Sequence, residues 1–122
     1  MEKNFKILVV DDDADTITTL SDLLVEHGYD VVAASDGKEA LNMAEKERPD
    51  LVLLDTRLPK LDGYEVCLRI KQIKGLDTKI VLFTAYGDAV HVAKAKKVGA
   101  DDFLGKTDDF ANMRRAIENL LK

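Results

Sequence analysis

The chain is short of cysteine, histidine and net positive charge, and each shortage removes a class of function. Cys67 has no second thiol to pair with, so an internal disulfide is excluded and a reducing, cytoplasmic setting is expected. His27 and His91 are the only histidines, and no Cys/His spacing suited to zinc exists. The net charge of -5 disfavours non-specific nucleic-acid binding. No apolar run approaches the roughly 18 residues that cross a membrane. Met1-Glu2-Lys3-Asn4 shows no signal-peptide pattern. Internal repeats, low-complexity tracts and linkers are also missing. What remains is 122 residues with 46% hydrophobic and 34% charged content, enough for one domain with a real core, expected over residues 1–122.

Buried strands and amphipathic helices alternate along this chain. Strands are expected at Phe5–Val10, Asp30–Ala34, Leu51–Leu54, Lys79–Thr84 and Asp102–Leu104. Ile7-Leu8-Val9-Val10, Leu51-Val52-Leu53-Leu54 and Ile80-Val81-Leu82-Phe83 are continuous apolar runs, the mark of strands covered on both faces. Helices are expected from Asp15 to His27, Lys38 to about Lys46, near Gly63 onward, Gly87-Asp88 to Val98, and about Asp108 to Leu121. Their apolar residues recur at helical spacing: Ile17, Leu20 and Leu24; Ala40, Leu41 and Ala44; Val66, Ile70 and Ile73; Phe110, Met113, Ile117 and Leu120. Five β–α repeats with right-handed crossovers predict an α/β, flavodoxin-like, doubly wound parallel sheet of order 2-1-3-4-5, with helices on both faces.

In that order the carboxyl ends of strands one, three and four adjoin, and such an edge is where open α/β sheets bind ligands. Asp11, Asp12 and Asp13 follow the first strand and Asp55 closes the third. Like charges held that close ask for a cation. Asp55 can attack phosphorus to give an acyl phosphate, and Asp11 and Asp12 are hard ligands suited to Mg²⁺. Thr84 offers a hydroxyl at the neighbouring strand end, Ala85 leaves room beside it, and Lys106 offers a point charge to a phosphate oxygen. Helix capping accounts for Asp13 or Asp15. It does not account for two acids placed directly at a buried strand end.

Val10-Asp11-Asp12, Leu53-Leu54-Asp55, Pro59, Asp62-Gly63, Thr84-Ala85 and Lys106, taken in order, make the chain resemble a receiver domain of a two-component response regulator over essentially its whole length. The resemblance implies that Asp55 takes a phosphoryl group from a phosphohistidine on a sensor histidine kinase or histidine phosphotransfer protein. It implies Mg²⁺ held by the Asp12 and Asp55 side chains and the Arg57 backbone carbonyl, with Asp11 acting through water. Thr84 and Lys106 would bind phosphoryl oxygens, and Phe103 matches the aromatic switch position. The surface of the fourth helix, fifth strand and fifth helix would then change for a downstream protein. With no output domain following, the chain resembles the single-domain regulators of chemotaxis and sporulation relays, and a monomer is expected.

One residue departs from that pattern. The family usually has proline, often after a cis bond, where this chain has Thr107. A cis bond before a non-proline residue costs about 2.5–4 kcal/mol, so a trans bond and an altered loop are expected here. The alternative that follows is an atypical receiver acting as a phosphorylation-independent interaction module. Arg57 and Tyr86, two residues after Asp55 and Thr84, occupy positions that tune phosphoryl loss in the family. Both are large and are expected to obstruct the attacking water. A haloacid-dehalogenase-type phosphatase is disfavoured because Arg57 stands where it needs a second acid. A flavin carrier is disfavoured because Asp11-Asp12-Asp13 would repel a phosphate.

Elsewhere the sequence suggests ordinary roles. Cys67 reads as a small apolar helix residue and the two histidines as surface groups. Lys94, Lys96, Lys97, Arg114 and Arg115 gather positive charge on the last two helices, either a solvated face or a contact for an acidic partner. Thr16, Thr18 and Thr19 on the first helix suggest, by analogy alone, a kinase-docking surface.

Overall fold

The structure, a computed structural model, describes residues 4–84, 89–105 and 109–122, with the backbone alone at 89–91. The strands are β1 (Lys6–Val10), β2 (Asp30–Ala34), β3 (Leu51–Asp55), β4 (Lys79–Thr84) and β5 (Asp102–Gly105). They alternate with α1 (Ala14–Glu26), α2 (Gly37–Glu47), α3 (Gly63–Lys71), α4 (Ala89–Lys97) and α5 (Phe110–Leu120). All four strand pairings are parallel and the order is β2-β1-β3-β4-β5, as the apolar runs predict. No described helix is long and apolar enough to cross a membrane.

The sheet divides the core by residue parity. Ile7, Val9, Leu51, Leu53, Val81 and Phe83 face one side, where Leu24 of α1 and Met113 and Ile117 of α5 cover them. Leu8, Val10, Val52, Leu54, Ile80 and Leu82 face the other, against Ala40, Ala44, Val66, Ile70 and Ala95 of α2, α3 and α4. Alternate side chains of a strand point to opposite faces, and helices cover both, so the central runs have no polar positions. All five residues of β3 are buried. Each such aliphatic side chain contributes roughly 1.5–3 kcal/mol by leaving water.

Asp13, Asp36, Asp62 and Asp109 cap α1, α2, α3 and α5, each accepting a hydrogen bond from a first-turn backbone N–H. These caps set limits slightly different from those expected. Asp13 starts α1 at Ala14, and Asp109 starts α5 at Phe110 rather than near Asp108. Ile73 lies past the end of α3 yet still packs on the core. Gly28 and Gly99 follow α1 and α4 with φ of 92° and 87°, the left-handed conformation glycine adopts without penalty. The expected Gly87-Asp88 cap lies outside the described residues.

Cys67 is buried on α3, with its thiol donating to the Val98 carbonyl at 3.6 Å. Burial pushes the thiol pKa up to about 12, offset in part by the nearby Lys71 ammonium.

Candidate functional site at the strand ends

Val10 of β1 pairs in register with Leu54 of β3, so the next residues, Asp11 and Asp55, emerge side by side. Both are buried, Asp11 completely and Asp55 to within 2%. Asp12, one residue further, is exposed. Carboxylate oxygens of Asp11, Asp12 and Asp55 all lie within 4.8 Å of one another. Two ionised carboxylates that close repel by about 3.5 kcal/mol or more at an effective dielectric near 20. The set is anionic, all-oxygen and partly withdrawn from water, which suits a small hard divalent cation and no soft metal.

Backbone amides hold the acids in place. Asp11 Oδ1 accepts from Asp13 N–H at 2.9 Å, and Asp55 Oδ1 accepts from Arg57 N–H at 3.0 Å. Asp55 is the last residue of β3, with its backbone beside Phe83 of β4. Thr84 follows Phe83, is buried to 1%, and pairs with Gly105 at the end of β5. Asp11, Asp12, Asp55, Arg57 and Thr84 therefore share one edge, as expected. Lys106, Thr107, Ala85 and Tyr86 lie outside the described residues, and with them the expected trans Lys106–Thr107 loop.

The loop after Asp55 is held more tightly than the sequence suggests. Gly63 N–H donates to the Thr56 carbonyl at 3.0 Å, closing the loop on itself. A Cβ at Gly63 would overlap the Asp55 carbonyl oxygen and the Thr56 backbone. Midway, Leu61 N–H donates to the Pro59 carbonyl at 2.8 Å across Lys60, whose φ is 70°. This is a γ-turn in its rarer, strained form. The Lys60 ammonium lies 3.4 Å from Asp36 Oδ2. Asp36 Oδ1 accepts from Glu39 N–H at 2.7 Å, and this bond, with Lys60, lowers the Asp36 pKa against the opposing effect of desolvation. The sequence expectation of a helix from Lys38 did not include this cap, and the contact of Asp36 with Lys60 arises only where the fold joins them.

Phe103 of β5 is half-buried against the α2–α4 side of the core. With Val92, Ala95, Lys96 and Ala100 it lines a cavity of about 260 Å³ between α4 and β5. Ala95 is the one buried α4 side chain among the described residues. The Lys94 ammonium sits 4.5 Å from the centre of the Tyr64 ring on α3, so this lysine is more than a solvated charge. Arg114 pairs with Glu118 at 2.8 Å on α5. His27 caps α1, its Nδ1 2.7 Å from the Leu23 carbonyl oxygen, and its ring meets Phe110 at 5.4 Å. The side chain of His91 lies outside the described residues.

On the opposite face, α1 and α5 border a groove of about 480 Å³. Leu20, Leu23, Phe110 and Met113 line it, and Thr16 and Thr19 stand at its polar side. Thr18 and Thr19 are exposed and Thr16 is half-buried.

Residues 7–118 match the family model of the response regulator receiver domain. The chain is 48% identical over 119 residues to the alkaline phosphatase synthesis transcriptional regulatory protein PhoP of Bacillus subtilis, covering 98% of this chain and 49% of that protein. It is 36% identical over 118 residues to sporulation initiation phosphotransferase F of the same organism, covering 97% and 94%. The BeF3-activated receiver domain of RstA from Klebsiella pneumoniae superposes with a TM-score of 0.89 at 32% identity, covering 96% and 98%. The chain thus spans about half the length of the first curated relative and nearly all of the second.

Proposed function

Because this chain belongs to the response regulator receiver family, we propose that Asp55 accepts a phosphoryl group from a phosphohistidine on a sensor histidine kinase or histidine phosphotransfer protein. The observation that carries this is the convergence of the Asp11, Asp12 and Asp55 carboxylates at the end of a fully buried central strand. The bond between the imidazole nitrogen and phosphorus breaks, its electron pair returning to the ring, as an Asp55 carboxylate oxygen bonds to phosphorus. Asp11, Asp12, Asp55 and the Arg57 carbonyl would hold Mg²⁺, with Asp11 acting through water. Bound there, the ion neutralises charge spread over the phosphoryl oxygens.

The chain's own residues supply the rest. The Arg57 amide fixes one Asp55 oxygen and so orients the carboxylate. The Thr84 hydroxyl and Lys106 ammonium bind phosphoryl oxygens. Engagement of Thr84 draws the end of β4 inward and lets Phe103 occupy the space beside α4, shifting an existing equilibrium of the α4–β5–α5 surface. The groove between α1 and α5 docks the phosphohistidine-bearing partner. The protein works as a cytoplasmic monomer and turns over no external substrate; it promotes only its own phosphorylation and dephosphorylation.

Intact mass after incubation with a small phosphodonor, with and without Mg²⁺, tests this beside an Asp55→Asn control. A Mg²⁺-dependent gain of one phosphoryl mass, absent from the control, is the expected result. No gain from either a small donor or a phosphohistidine protein would overturn it, leaving a phosphorylation-independent interaction module, the alternative raised by Thr107.

A further inference from the structure

The loop from Thr56 to Asp62 is anchored at both ends beside Asp55. Gly63 fits against the Asp55 backbone only because it lacks a Cβ, and its amide bonds Thr56. Between those anchors the chain carries Arg57, whose amide bonds the Asp55 carboxylate. The loop's outer turn is centred on Lys60 at φ 70°, a backbone conformation in which glycine is unstrained and lysine is not. From this turn the Lys60 side chain reaches Asp36 at the start of α2.

That partner is itself fixed. Asp36 caps α2 through Oδ1, and Glu39 Oε1 accepts back from Ser35 N–H at 3.2 Å. The Asp36 side chain is 17% exposed, against 66% for Lys60. The backbone of Leu61 packs on Gly37, where a Cβ would overlap Leu61. Two independent contacts, one ionic and one steric, therefore tie the turn to the start of α2. A largely exposed ion pair adds little to global stability, so its effect is local.

We propose that Asp36 and Lys60 form a clamp that positions the Arg57 segment, and through it the Asp55 carboxylate, for cation binding. Both are positioning residues, and the proposal rests on the Mg²⁺ site described above. Simple charge effects make the opposite forecast for one of them. Removing the Lys60 charge makes the pocket's surroundings more negative and should tighten Mg²⁺. Removing the Asp36 charge should weaken it. The clamp requires both changes to weaken binding.

The test is calorimetric titration with MgCl₂ of the unaltered chain and of Lys60→Gln, Asp36→Asn and Lys60→Arg. Asparagine keeps the α2 cap, so Asp36→Asn removes the ion pair without removing the helix start. Both charge-removing variants should bind Mg²⁺ about threefold more weakly, within what an exposed ion pair can contribute, and Lys60→Arg should restore affinity. Shifts in opposite directions, or none, would overturn the clamp. Amide hydrogen exchange gives a reading independent of the metal: Arg57 N–H should exchange faster in both variants at an unchanged thermal midpoint. If the unaltered chain takes up no Mg²⁺, the metal reading falls. Exchange then decides the clamp by itself, and unchanged exchange overturns it.

Discussion

Gly63 and Asp55 lie in backbone contact: the first residue of α3 occupies space against the Asp55 carbonyl that no side chain could share. The start of a helix and the end of the central strand are thereby locked together at the acidic pocket. Gly63→Ala should destabilise the protein by about 2 kcal/mol, typical of overpacking, because the obstructing atoms are backbone. Urea denaturation measures the loss. An unchanged midpoint would mean that the contact relaxes freely.

The clustered acids make a prediction about charge. Without metal, Asp55→Asn relieves the repulsion with Asp11 while keeping an oxygen for the Arg57 amide. The variant should be about 1 kcal/mol more stable than the unaltered chain in EDTA. Adding Mg²⁺ at ten times its dissociation constant should stabilise the unaltered chain by about 1.4 kcal/mol and the variant by much less. Thermal melts in EDTA and in MgCl₂ check both statements.

Cys67 should be inert in the folded state. Its thiol is raised from 9.0 to about 12 by burial, so thiolate is scarce at neutral pH. A raised pKa means that folding favours the protonated form. This contribution is complete below about pH 9 and is lost as pH rises toward 12. A disulfide reagent at pH 8 should react slowly with the native chain and rapidly in denaturant. Equal rates would place the thiol at the surface.

Lys94 and Tyr64 should couple α4 to α3. A double-mutant cycle with Lys94→Met and Tyr64→Leu should give an interaction of about 0.5–1 kcal/mol, the range for a cation–π contact with an exposed lysine. Additive effects would show that the 4.5 Å approach contributes nothing measurable.

Much of this architecture was legible because burial on both faces leaves an unbroken apolar record. β2 and β4 begin and end where expected, and β3 gains only Asp55, the residue that makes its end chemical. Helix starts moved by one or two residues because neighbouring acids compete to cap: Asp13 prevailed over Asp15. The grouping of Asp11, Asp12 and Asp55 followed from strand order once the sheet was inferred. Lys60 with Asp36, and Tyr64 with Lys94, could not be found that way. Their partners lie on different helices and loops, and no periodicity records a meeting that tertiary packing alone creates. Gly63 stands in the sequence as part of a motif, while the reason for it, the missing Cβ beside Asp55, lies in how the start of α3 packs on the end of β3.

The division of the core by strand parity has a consequence for traffic through this molecule. The α1–α5 groove and the cavity beneath α4 open on opposite sides of a sheet whose every central residue is occupied by packing. A protein seated in the groove leaves the outer face of α4 uncovered. Under the proposed function, the donor's groove and the α4–β5–α5 surface share α5, so donor and recipient would meet at that helix while α4 stays open to the recipient alone.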